Sequence, residues 1–141
     1  MKHLKTYIAL LLSMGSFLAP LFSQTPYQLD SMMIVVRDGD DYWDTKEWKF
    51  RELLNIARDK GYTLQETYLL RFMGVCANEL TEYYRAIDLY EDALIIAEAN
   101  GYDNSCASII DNMAIPFGNL GDFENASYLY LRVFCNAYPN D

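Results

Sequence analysis

The chain has 141 residues, with 11 Lys and Arg, 20 Asp and Glu, one His and a formal net charge of −9. That length fits one domain, and 52% apolar with 15% aromatic residues supply a core, which excludes intrinsic disorder. The acidity excludes nucleic-acid partners, whose phosphates need a cationic footprint, and an anionic membrane surface.

The first predicted element is an export signal over residues 1–24. Lys2 and Lys5 make a short basic start, and Ile8 to Phe22 is apolar except at Ser13, Gly15, Ser16 and Pro20. A stretch of 15 residues fits a secretory signal better than a spanning helix, which needs roughly 20. Cleavage near Ser23 or Gln24 would place the remainder in the periplasm or outside the cell, with a retained N-terminal membrane anchor as the alternative. Without its first 24 residues the chain keeps 117, with 9 basic and 20 acidic side chains and a net charge of −11. His3 belongs to the signal, so the rest of the chain has no imidazole. Ser-His-Asp and Cys-His nucleophilic sites and the common His-containing zinc sites are therefore excluded, and no enzyme activity, metal or cofactor is expected.

An internal repeat organises residues 25–141. A shift of 40 residues brings Ile56-Ala57 onto Ile96-Ala97, and Gly61-Tyr62 onto Gly101-Tyr102. The next shift of 40 carries Met73 onto Met113, Leu80 onto Leu120, Tyr83 onto Phe123, Ala86 onto Ala126 and Leu89-Tyr90 onto Leu129-Tyr130. Residues 25–62, 63–102 and 103–141 are thus predicted to be three units, each a pair of helices, and the fold class is all-α. In chain order, the first helix opens at Thr25-Pro26, with Thr25 as cap and Gln28 completing a capping box. A second helix over Asp44–Lys60 ends at Gly61, the residue type favoured at a left-handed C-terminus. Thr63 with Glu66 predicts another capping box, and a helix over Glu82–Asn100 ends at Gly101. Asp103 is the predicted cap of the fifth helix, and Asp122–Ala137 is the sixth. Gly74, Ala86, Ala114 and Ala126 are read as close-approach positions between paired helices, with Tyr83, Tyr90, Phe123 and Tyr130 filling the space between successive ones.

The third unit reads Asn112-Met113-Ala114, Phe117, Leu120-Gly121-Asp122-Phe123-Glu124-Asn125-Ala126 and Tyr130. This run resembles the tetratricopeptide repeat, and Met73-Gly74, Leu80, Glu82-Tyr83, Ala86, Tyr90 and Ala93 carry the same likeness in the second unit. The first unit is degenerate, with Lys46 where the repeat has a small residue. The period of 40 exceeds the usual 34 of this repeat and is similar to variants in bacterial signalling and regulatory proteins. The resemblance implies a right-handed α-α superhelix, a solenoid of three helical hairpins of about 40 residues. It also implies a groove lined by the first helix of each unit. In this chain the groove positions are Tyr68, Arg71, Val75, Asn78 and Glu79, then Ser108, Asp111, Ile115 and Asn119, with Gln28, Ser31, Val35 and Asp38 in the first unit. The lysine and asparagine set with which some family members clamp a C-terminal carboxylate is missing. What the resemblance implies for function is a non-catalytic scaffold for protein–protein interaction in the cell envelope or outside the cell. The alternative is a sensory module that binds a peptide or small ligand in the groove.

Asp38-Gly39-Asp40-Asp41 with Asp44 has the composition of a calcium loop but lacks the twelve-residue spacing and terminal Glu, so a charged turn is expected. Cys106 and Cys135 lie equally far from the turn at Leu120-Gly121, which allows a disulfide across the last hairpin; free buried thiols are the other reading, and Cys76 reads as core. Pro116 falls inside the fifth helix and is expected to kink it. Stacked repeats need a polar cap, and none is predicted after the sixth helix. Its outer face, with Leu129, Leu131 and Phe134, is expected to be exposed and to support self-association or a protein or peptide partner.

Overall fold

The structure, a computed structural model, describes residues 25–137, and side chains up to Val133. The predicted export signal and the side chains of Phe134 and Cys135 lie outside the described residues. Six α-helices and no strand occur among the described residues: α1 (Pro26–Asp38), α2 (Trp43–Lys60), α3 (Thr63–Glu79), α4 (Tyr83–Asn100), α5 (Asp103–Asn119) and α6 (Phe123–Ala137). Among the described residues, no helix is long and apolar enough to cross a membrane.

Local chemistry sets the ends of these helices. At α1 the Gln28 amide donates to Thr25 Oγ1 at 3.3 Å, and Gln28 Oε1 accepts from the Thr25 amide at 2.9 Å, which satisfies two amides that the helix leaves open. Gly61 and Gly101 close α2 and α4 at φ +69, a left-handed conformation that glycine adopts without steric cost. The predicted caps of α3 and α5 are corrected: Tyr62 and Tyr102 precede these helices, and Thr63 and Asp103 are already helical. The reason is the tightness of the glycine turn. The Tyr62 amide donates back to Ala57 O at 2.9 Å while its own carbonyl accepts from Glu66 N at 2.9 Å, so one residue ends α2 and opens α3. Thr63 Oγ1 shares a 2.7 Å hydrogen bond with Tyr102 Oη instead, and Glu66 accepts from Arg58 at 2.7 Å.

The helices pack in series, each against its chain neighbours, and α3 also touches α1 and α5. Burial follows the 40-residue period: Leu29, Leu69 and Ile109 are buried, as are Met33, Met73 and Met113, and Val36, Cys76 and Pro116. Each Leu, Ile, Met or Val among them contributes about 1.5–3 kcal/mol by leaving water. Gly74 is required by contact, because a Cβ there would lie 2.5 Å from the buried Tyr90 ring. Lys46, out of place for a small-residue position, is buried with a partner: its Nζ donates to Arg37 O at 3.0 Å and lies 4.8 Å from the Trp43 ring centroid. It thereby satisfies a carbonyl at the end of α1, which a small residue would leave to solvent. Phe123 and Tyr130 do not fill the space between successive helices as expected. Both are exposed, because no described helix follows to cover them.

Candidate functional site

The groove positions of α3 recur at i, i+3 and i+7, so Tyr68, Arg71, Val75 and Asn78 share one side of the helix. All four are half-buried, and Glu79 is exposed. On α5 the same register gives Ser108, Asp111, Ile115 and Asn119, all exposed, so the strip opens toward the C-terminal side. Asn119 Nδ2 donates to Asn78 Oδ1 at 3.3 Å, joining the α3 and α5 strips. Gln65 Nε2 donates to Asp30 Oδ1 at 3.1 Å and ties α3 to α1.

The first-unit positions are engaged locally. Gln28 is held in the capping box, the Ser31 hydroxyl donates to Tyr27 O at 3.0 Å, and Asp38 pairs with Arg37 at 2.8 Å. Val35 is half-buried. Two further acids beside the α1–α2 turn are also engaged: Asp41 pairs with Lys49 at 2.7 Å, and Asp44 accepts from the Thr45 amide at 2.6 Å.

Arg71 stands apart. Each of the other five arginines among the described residues pairs with a carboxylate: Arg37 with Asp38, Arg51 and Arg85 with Glu47, Arg58 with Glu66, and Arg132 with Glu98. Arg71 has no such pair, and its Nε is buried without a hydrogen-bond partner. Its guanidinium carbon lies 4.6 Å from the Phe72 ring centroid, which holds the group over an aromatic face. Burial lowers its pKa, and the like charge of Arg37 acts in the same direction, against opposing contributions from Tyr90 and Tyr68. The strip thus offers one partly desolvated cation, amide donors and acceptors at Asn78 and Asn119, and a tyrosine beside apolar Val75 and Ile115. That set suits an extended chain with an anionic group.

The most strongly shifted titrating groups lie in the core rather than on this strip. Burial pushes the Cys76 thiol up to about 12, with the charge of Glu47 adding to it, and burial also pushes the Tyr90 phenol up. These shifts come from packing. A network that sequence reasoning missed joins α2 to α4: Glu47, whose side chain is 7% exposed, accepts from Arg51 at 2.5 Å and from Arg85, which also pairs with Glu82. The spacings within α2 and at the start of α4 are visible in the sequence, but the contact between Glu47 and Arg85 joins residues 38 apart.

Cys106 is a free, half-buried thiol, and the Cys135 side chain, the other half of the anticipated bridge, lies outside the described residues. On α6, Leu131 is exposed as expected, whereas Leu129 is corrected to a core position. Leu129 belongs with Ala126 and Val133 to the side of α6 turned toward α5. Comparison of the chain with protein-family models, with curated proteins and with solved structures finds no match in any of the three.

Proposed function

We propose that the chain is a non-catalytic repeat scaffold of tetratricopeptide type, exported and acting in the cell envelope or outside the cell. In this reading its three helical hairpins form a right-handed superhelix, and the strip on α1, α3 and α5 lines a groove for an extended segment of a partner protein. The recurrence of helix bounds supports the architecture, since α3 and α5 start 40 residues apart, as do α4 and α6. The observation that carries the function is Arg71. In a chain with 20 acids against 11 bases, a single arginine without a carboxylate, held over Phe72 on the groove strip, is a place left for an anionic group of another molecule. The sensory alternative needs a site that encloses a small ligand. The cleft lined by Thr81, Glu82, Tyr83, Tyr84, Arg85 and Leu120 is open and includes none of the groove positions, so the scaffold reading is preferred.

The test places a photo-crosslinking residue at Ile115 in the groove and, separately, at exposed Asp88 on α4, in cells that export the protein. A discrete adduct is expected from position 115, absent from position 88, and reduced when Arg71→Gln is added. Adducts of equal pattern at both positions, or none at position 115, would overturn the groove reading.

A further inference from the structure

The 40-residue register puts three different side chains at one groove position. Ser31 on α1, Arg71 on α3 and Asp111 on α5 follow one another at that interval, so the strip presents a neutral hydroxyl, a cation and an anion in succession. The hydroxyl is already engaged, since Ser31 donates to Tyr27 O at 3.0 Å. The two charges are not. Arg71 has no carboxylate, and its Nε is buried without a hydrogen-bond partner, whereas the other five arginines among the described residues all find acids. Asp111 is exposed and enters no ion pair among the described residues, with Arg71 or with any other cation. Opposite charges left open at the same register of two adjacent helices form a site that takes both signs from a partner.

Helix spacing sets how far apart the complementary groups stand on that partner. Packed helices lie about 8–10 Å axis to axis, and α3 packs on α5, with the hydrogen bond from Asn119 to Asn78 crossing between them at 3.3 Å. An extended segment that crosses both helices in polyproline II conformation advances about 9 Å per turn of three residues, which returns side chains i and i+3 to the same face. We infer that the partner segment carries an acidic side chain and, three residues away, a basic one, the acid paired with Arg71 and the base with Asp111. The pattern rests on the strip being a groove for an extended segment, and it gives the occupant of that groove a charge order. The field of the whole molecule favours the mixed pattern. After residue 24 the chain sums to −11, so an all-acidic segment is repelled by the molecule as a whole, while an all-basic one sets like charge against Arg71. Glu79, the other exposed acid of the α3 strip, lies eight residues beyond Arg71, about 12 Å along the helix, and is too far away to serve as the anion of this pair.

Fluorescence anisotropy of labelled proline-rich peptides on the purified protein tests this charge order. One probe carries Glu and Lys three residues apart, a second carries two Glu at the same spacing, and a third carries two Lys. The wild-type protein should bind the Glu–Lys probe about two- to fivefold tighter than either of the others, the scale of one exposed ion pair. Asp111→Arg sets two cations at the register and should reverse the order, so that the Glu–Glu probe binds tightest. Position 111 is exposed, and circular dichroism checks that the helices persist. Arg71→Gln should remove the advantage of the Glu–Lys probe over the Lys–Lys probe. The same order of probes in the wild-type and Asp111→Arg proteins overturns the charge pair, and so does a wild-type protein that binds none of them. Failure of the groove itself is read separately, from the absence of adducts at position 115 in cells; adducts there with an unchanged order of probes keep the groove and remove the charge pair.

Discussion

At Cys76 a single side chain reports on how dry the core is. It is a buried α3 member of the hydrophobic core, and burial, with the charge of Glu47 adding to it, raises its thiol from the ordinary 9.0 to about 12. Between those values the unfolded chain releases a proton that the folded chain retains, so the folded state loses ground as pH rises. The stability associated with this group is fully present below about pH 9 and declines toward pH 12, by about 1.4 kcal/mol per pH unit where only the unfolded thiol is ionised. The buried Tyr90 phenol acts in the same direction from pH 10.0 upward. Urea unfolding followed from pH 8 to pH 11 should therefore show a falling midpoint, with a shallower fall for Cys76→Ala. An unchanged slope in that variant would mean that Cys76 ionises in the folded protein as readily as in the unfolded one. Alkylation of the native protein at pH 8 should accordingly modify half-buried Cys106 before Cys76.

The turns between helices are where one element of the repeat departs from its copy. The α5–α6 turn is made by Gly121 at φ +78, with its amide bonded to Gly118 O at 3.0 Å and the Asp122 amide to Phe117 O at 2.9 Å. Forty residues earlier the same two bonds join Thr81 to Asn78 O and Glu82 to Ala77 O, but the left-handed residue is Thr81 at φ +63. A β-branched residue in that conformation costs about 1–2 kcal/mol. Thr81→Gly is expected to stabilise the protein by about 0.5–1 kcal/mol after the added flexibility of the unfolded chain is counted, and Gly121→Thr to destabilise it by about 1–2 kcal/mol. Opposite shifts of the urea midpoint would check both, and a loss in Thr81→Gly would show that the threonine side chain contributes more than its backbone costs. The same turns show what the sequence makes legible. Gly61 and Gly101 mark helix ends because a left-handed residue there follows from local geometry alone, and the all-helical class follows from the spacing of apolar residues. The caps of α3 and α5 are not legible because Tyr62 and Tyr102 serve two helices at once, which no single-helix pattern anticipates. The groove strip is legible by register, but the isolation of Arg71 is not, since whether an arginine meets a carboxylate depends on contacts such as Glu47 with Arg85, across helices and 38 residues apart. Leu129 escapes a sequence reading for a related reason: its burial is set by which side of α6 faces α5.

Across the whole molecule, serial packing makes stability depend on position along the chain. A helix packed extensively on the helices before and after it opens only by losing both interfaces, whereas α6 opens by losing its packing on α5, and α1 by losing its smaller contacts with α2 and α3. α3 and α4 each pack on helices before and after them, while α6 packs on α5 and exposes Phe123, Tyr130 and Leu131. α1 is held by the short apolar set Leu29, Met33 and Val36 against α2 and α3. Native-state hydrogen exchange should therefore be slowest in α3 and α4 and fastest in α1 and α6. Uniform protection across all six helices would mean that the chain opens as one unit and that the end helices are not weak points.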